Sequence, residues 1–233
     1  MIKSLIKHGD FMFKKLKYSF LVWLMRTKPY LWSMKHLIPF IRFTTYYALP
    51  DNKAFQQWGA LANRGYLQLR PGDLILAVDS QKLTSKIIGA ATKEVGGHVP
   101  YFMPSHVALC VAKGGDFEVA EMTHHDYTKS TWSDVCSQAT RIVIGRIKDW
   151  DEVYVNNTII PMALSFTNKK YDDAFVMGVD SLACSELPYF ADLENRAKVD
   201  LSPVVGDNPY ITPVGWMLAK NVKVIWDSNL ETL

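Results

Sequence analysis

The sequence predicts an α+β fold, an antiparallel sheet with flanking helices, and three observations carry that prediction. Strand-like and helix-like runs fall in separate blocks rather than in the βα alternation of a doubly wound sheet. Two apolar runs, about residues 105–113 and 116–123, flank Gly114-Gly115, a hairpin signal. With 233 residues and 48% hydrophobic content, the chain can bury a sizeable core as one large domain or one domain with an appendage.

The chain divides at Leu49-Pro50-Asp51, into a basic, aromatic-rich helical arm (1–49) and a main domain (50–233). In the arm, Phe13, Leu16, Phe20, Trp23 and Leu24 recur at helical spacing, with Lys14, Lys15 and Lys17 mainly elsewhere. This predicts an amphipathic helix ending near Pro29. Such a helix either packs on its own domain with the basic face in water or lies on an anionic membrane surface. Past the break, Asp51 is placed to cap a helix that runs to about Arg64 and stops at Gly65. Pro71-Gly72 then turns the chain into an apolar strand through Val78. A short helix (83–93), a Gly/Pro-containing loop (94–104) and the hairpin follow. Next come a short helix near 131–138, a strand from Arg141 to Ile147 and a long helix capped by Asp151. The last elements are a helix at Cys184, a Pro-rich connection, a helix from about Pro213 to Lys220 and a closing strand, Val222 to Trp226.

Formal charge is only +3, but nine Lys/Arg against Asp10 give the arm +8, leaving −5 for the rest. That asymmetry, with no basic-aromatic interleaving beyond the arm, argues against a nucleic-acid partner. It assigns any contact with an anionic membrane or envelope to residues 1–49. Three cysteines, Cys110, Cys136 and Cys184, with no CxxC pair, indicate neither a disulfide framework nor a zinc knuckle. The apolar run Phe20–Met25 is too short for a membrane span of about 20 residues. It also lies behind three lysines without a small-residue cleavage site. No transmembrane segment or signal peptide is recognised, and the expected location is cytoplasmic or peripheral to a membrane.

The chemistry concentrates at Cys184, in Leu182-Ala183-Cys184-Ser185-Glu186-Leu187-Pro188-Tyr189, and at His106, in the apolar run Ser105-His106-Val107-Ala108-Leu109. A thiol becomes a strong nucleophile as the thiolate, which a helix start and a neighbouring histidine both favour. Ser185 is placed to cap the helix, with Pro188 in the first turn where its missing N–H costs nothing. Free amides around 184–186 could serve a developing oxyanion, each worth on the order of 3 kcal/mol. A buried structural cysteine and a core histidine are the competing readings, and for either residue alone they are the better ones. The hairpin adds information. A two-residue Gly114-Gly115 turn would set Ala108 opposite Glu121, so Glu121 would share the face of His106 while Glu118 points away. A three-residue loop would reverse that parity.

Five segments in this order resemble the permuted NlpC-like papain-fold superfamily: Arg70-Pro71-Gly72-Asp73-Leu74, Ser105-His106-Val107-Ala108-Leu109, Val119-Ala120-Glu121-Met122, Lys170-Tyr171-Asp172-Asp173 and Ala183-Cys184-Ser185-Glu186-Leu187. The YiiX-like branch carries histidine before cysteine, as here, and lecithin retinol acyltransferase is a more distant likeness. The closing Tyr210-Ile211-Thr212-Pro213 fits the same pattern, so the resemblance spans roughly residues 66–226. It implies a circularly permuted papain-like fold, with Cys184 as nucleophile, His106 as general base and acid, and Glu121 holding the imidazole. Tyr171 and Asp172 match a Tyr-Asp pair before the catalytic helix and would shape the cleft, with Ser185 beside them. Asp172 serves equally well as a turn former. Two features depart from the pattern, Ala183 before the cysteine and His124-His125-Asp126 after the glutamate. Adjacent strand histidines point to opposite faces, so no metal is assigned, and no cofactor.

The leading function is therefore a thiol hydrolase acting through an acyl-enzyme. Its substrates would be peptide amides of the peptidoglycan type or lipid-linked amides and esters, and acyl transfer is an allied outcome. The alternative is a non-catalytic structural or envelope-docking protein, for example of a virus particle, that retains the fold and docks through its arm.

Overall fold

The computed structural model describes residues 63–78, 104–123, 125–172, 177–200, 202–205 and 208–228. The arm, the boundary at 50, the Asp51 cap, the helix at 83–93 and nearly all of the loop at 94–104 lie outside them.

Strands β1 (Leu74–Val78), β2 (His106–Lys113), β3 (Phe117–Thr123), β4 (Asp126–Thr131) and β5 (Arg141–Ile147) belong to one sheet. Two small pairs follow: β6 (Lys170–Tyr171) with β7 (Ser181–Leu182), parallel, and β8 (Ser202–Val205) with β9 (Asn208–Tyr210), antiparallel. The last strand, β10 (Val222–Asp227), returns to complete a six-stranded sheet of order β10-β5-β1-β2-β3-β4. Every pairing in it is antiparallel, so the architecture is α+β.

Alternating side chains divide this sheet between two apolar layers. Leu74, Leu76, Val107, Leu109 and Val143 face one layer, and Ile75, Ala77, Ala108, Cys110, Ile142 and Ile144 the other. Both layers are buried, which is why β1 and β2 read as continuous apolar runs. The second layer is covered by α1 (63–68) and α2 (Trp132–Gln138), through Leu69 at the end of α1 and through Trp132, Val135 and Cys136. On the first layer lie α3 (residues 152–165), α4 (Glu186–Ala191) and α5 (Pro213–Leu218).

Gly65 does not stop α1. The helix continues to residue 68, and a Cβ at Gly65 would stand 2.7 Å from Trp132 Cζ2. Close packing, not chain reversal, requires glycine there. At Gly72 the requirement is conformational: φ is +88°, and a Cβ would meet Val155 Cγ1 at 2.8 Å. The start of β1 is tied to β5 by a two-pronged ion pair, in which Arg146 Nε and Nη2 each donate to a carboxylate oxygen of buried Asp73 at 2.7 Å.

The long helix begins as expected, with Asp151 Oδ1 accepting from Tyr154 N–H at 2.8 Å. It widens into a π turn at Val155–Ile159, where Ile160 N–H reaches back to Val155 O. Pro161 follows directly. It has no N–H to give and its ring crowds the preceding turn, so the wider turn relieves a conflict that an α-helix would retain. At α2, Thr131 and Asp134 form a reciprocal capping box.

The hairpin reached the expected pairing by another route. Its loop spans three residues, 114–116, yet Ala108 still pairs with Glu121 and Leu109 with Ala120. A bulge between Cys110 and Ala112 inserts one extra residue in β2 and cancels the extra loop residue. Strand β4, for which the sequence carries no turn signal, forms a second hairpin, with Thr123 pairing Asp126 around 124–125.

Candidate active site

Cys184 lies in the turn between β7 and α4, His106 opens β2, and Glu121 stands on β3. The fold brings the three together. His106 Nε2 and Glu121 Oε2 are 2.6 Å apart, and the same ring hydrogen-bonds to the Cys184 side chain. Glu121 Oε1 accepts from the hydroxyl of Ser130 on β4, so both carboxylate oxygens are engaged. The relay therefore reads Ser130, Glu121, His106, Cys184 across three adjacent strands and the turn. The thiol is 1% exposed and Glu121 5%, whereas the His106 side chain is 24% exposed. Solvent meets the site over the imidazole.

The electrostatics follow from those contacts. Burial alone would push the Cys184 thiol up. The hydrogen bond and charge of His106, with backbone N–H groups of Val107 and Ser185 directed at the sulfur, outweigh burial and hold the thiol below its ordinary range. For His106, burial pulls the imidazole down, but its bonds to Cys184 and Glu121 prevail and raise it to about 10. A lowered thiol beside a raised imidazole favours a thiolate–imidazolium pair. Cys110 and Cys136 are also buried, and burial pushes both of their thiols up.

Ser185 does not cap α4. It sits at the N-cap without a side-chain cap bond, and its buried hydroxyl donates to Ile211 O at 2.6 Å. Its carbonyl accepts from Trp216 Nε1 at 2.9 Å, and its side chain also bonds Tyr210. The segment Tyr210-Ile211, with α5 behind it, thereby staples the cysteine turn in place. Thr212 starts α5 by accepting from Gly215 N–H at 2.9 Å.

Tyr171 is half-buried on β6, and Asp172 is buried, its N–H donating to Leu182 O at 3.0 Å. Asp126, the third residue of the His-His-Asp run, accepts from Tyr171 N–H at 3.0 Å and from Lys170 Nζ at 2.7 Å. It docks the second hairpin onto β6. His125 sits in the hairpin turn, while His124 lies outside the described residues. Among the described residues, no three His, Cys, Asp or Glu side chains are grouped as metal ligands.

Two participants escaped the sequence reading. Ser130 was missed with β4, although Asp126-Tyr127-Thr128-Lys129-Ser130-Thr131 carries the Thr and Tyr content of a strand. Glu186 lies within the cysteine motif, where sequence alone gives it no role. It is fully buried three residues past Ala183, whose N–H donates to its Oε2 at 2.7 Å.

No protein-family model matches this chain, and no curated protein matches it. A solved structure does. The metalloprotein YiiX from Escherichia coli O157:H7 superposes with a TM-score of 0.54 at 17% identity, over 68% of this chain and 97% of YiiX. The chain shares its fold with YiiX. At that identity the likeness is one of architecture, and the metal belongs to the description of YiiX.

Proposed function

We propose that this protein is a cysteine hydrolase on a permuted, NlpC-like form of the papain-like fold, with Cys184 as nucleophile, His106 as general base and acid, and Glu121 as the group that orients the imidazole. The observation that carries this reading is one imidazole bonded both to a buried thiol and to a buried carboxylate. The chain order, His106 before Cys184, and the fold shared with YiiX support the permuted form.

With Nε2 facing Glu121, Nδ1 is the ring nitrogen that serves the thiol. The thiolate attacks the carbonyl carbon of an amide or ester, forming a C–S bond and an oxyanion. On collapse the C–N or C–O bond breaks, and the leaving group takes the imidazolium proton. Neutral His106 then removes a proton from water, which attacks the thioester, releases the acid and restores the thiol. The Ser185 amide is directed at sulfur and the Glu186 amide at Ala183 O, so the oxyanion donor we assign is the Cys184 N–H. Tyr171 and Asp172 border the cleft in this reading, and the substrate is a peptide amide or a lipid-linked amide or ester.

The test is acylation of the full-length chain by an activated ester, read by intact-mass and peptide mass spectrometry. One acyl group on Cys184, lost in Cys184→Ala, is the expected result. Labelling that persists in Cys184→Ala overturns the assignment.

A further inference from the structure

Glu186 is a carboxyl group with no exposure to solvent, within electrostatic reach of the Cys184 thiol two residues before it. Its Oε2 accepts the Ala183 N–H at 2.7 Å, and its own N–H donates to Ala183 O at 3.1 Å. These two bonds close a ring around Cys184-Ser185 and fix the turn that presents the sulfur. Its other oxygen, Oε1, is buried without a hydrogen-bond partner. Among the described residues no cation pairs with it, and the charges that reach it are those of Asp172 and Cys184, with the Tyr210 phenol also within electrostatic reach. His106 bonds the Cys184 sulfur and the Glu121 carboxylate. An ionised carboxylate here would be a third negative group in one buried space, with one oxygen bare. Buried and uncharged, the same group satisfies an amide at little electrostatic cost.

We propose that Glu186 is a positioning residue of the thiol site that works as a neutral carboxylic acid: its Oε2 holds the Ala183 amide, and with it the cysteine turn, while its proton keeps a further negative charge away from the sulfur. This rests on Cys184 being the nucleophile. Burial, then the Asp172 and Cys184 charges, raise the Glu186 carboxyl to about 8 against the lowering effect of the Ala183 amide. A carboxyl raised on folding contributes stability that is fully present below its unfolded value and is lost as pH climbs through about 8. Loss of that proton therefore loosens the turn on the alkaline side, before His106 gives up its own.

Glu186→Gln separates the two properties, since it retains size and the amide-accepting oxygen but cannot ionise. Glu186→Ala removes both. The readouts are the iodoacetamide alkylation rate at Cys184 and the melting temperature, measured on the full chain from pH 5 to 10. At pH 6 the expected Glu186→Gln rate lies within about threefold of the parent, with Glu186→Ala slower by about tenfold or more. Between pH 7 and 9 the parent loses alkylation rate relative to Glu186→Gln, and its melting temperature falls relative to Glu186→Gln from about pH 5 to about pH 8. A tenfold loss in Glu186→Gln at pH 6, or parent and Glu186→Gln profiles that superimpose through pH 8, overturns the proposal. If Glu186→Ala fails to fold, the glutamine comparison decides alone. Profiles that diverge in a protein whose Cys184 no ester acylates would sink the hydrolase and leave the Glu186 role standing. Acylation with coincident profiles would do the reverse.

Discussion

In the proposed mechanism Cys184 would owe its reactivity to His106 more than to its helix, because α4 is only six residues long and Ser185 provides no cap bond. Replacing His106 by alanine removes the base and the cationic partner together, and kcat for ester hydrolysis should fall roughly hundred- to ten-thousand-fold. Ser130→Ala unhooks one oxygen of Glu121 while leaving the other on the imidazole. Its expected cost is about 1 kcal/mol, a several-fold loss of kcat with KM little changed. An unchanged kcat in Ser130→Ala would remove Ser130 from the relay. The sign of the pH dependence follows from the two opposed shifts. On the proposed mechanism, activity should rise as pH climbs through the lowered thiol value, and the imidazolium that would protonate the leaving group should persist until about 10. The fall should begin earlier, near 8, where the Glu186 proposal has the carboxyl ionise.

At the scale of elements, the start of β1 shows how the site is held from a distance. Arg146→Leu would leave Asp73 buried without its cation, at a cost of about 3–5 kcal/mol in urea unfolding. Gly72→Ala would combine a positive φ with a clash on Val155, a loss of about 1–3 kcal/mol. The apolar runs of β1, β2 and β5 were legible because burial on both faces leaves no other composition for them. Glu121 was legible only through parity, and parity held because the bulge in β2 offset a loop one residue longer than expected. Neither irregularity has a local signature in Cys110-Val111-Ala112. Strand β4 was hidden because His124-His125 lacks the Gly or Asn that marks a tight hairpin. Gly65 misled for a tertiary reason: its neighbour, Trp132, is 67 positions away in sequence and invisible to any local rule.

In the molecule as a whole, a six-stranded sheet sandwiched between apolar layers carries the imidazole on β2 and the carboxylate on β3, and the turn between β7 and α4 brings the thiol to them from the first layer. Among the described residues no helix is long and apolar enough to cross a membrane. The +8 charge of residues 1–49 predicts that any affinity for anionic vesicles resides in the arm. Liposome flotation of the full chain against a form lacking 1–49 should show binding lost with the arm, and binding retained without it would refute that assignment. The three cysteines give the most direct test of the central claim. All are buried, but among the described residues only Cys184 has a histidine partner, while burial raises the thiols of Cys110 and Cys136. Site-resolved iodoacetamide labelling of the native protein at pH 6 should modify Cys184 alone. The rate should fall by at least about tenfold in His106→Ala. Equal labelling of the three cysteines, or a Cys184 rate indifferent to His106, would contradict the account.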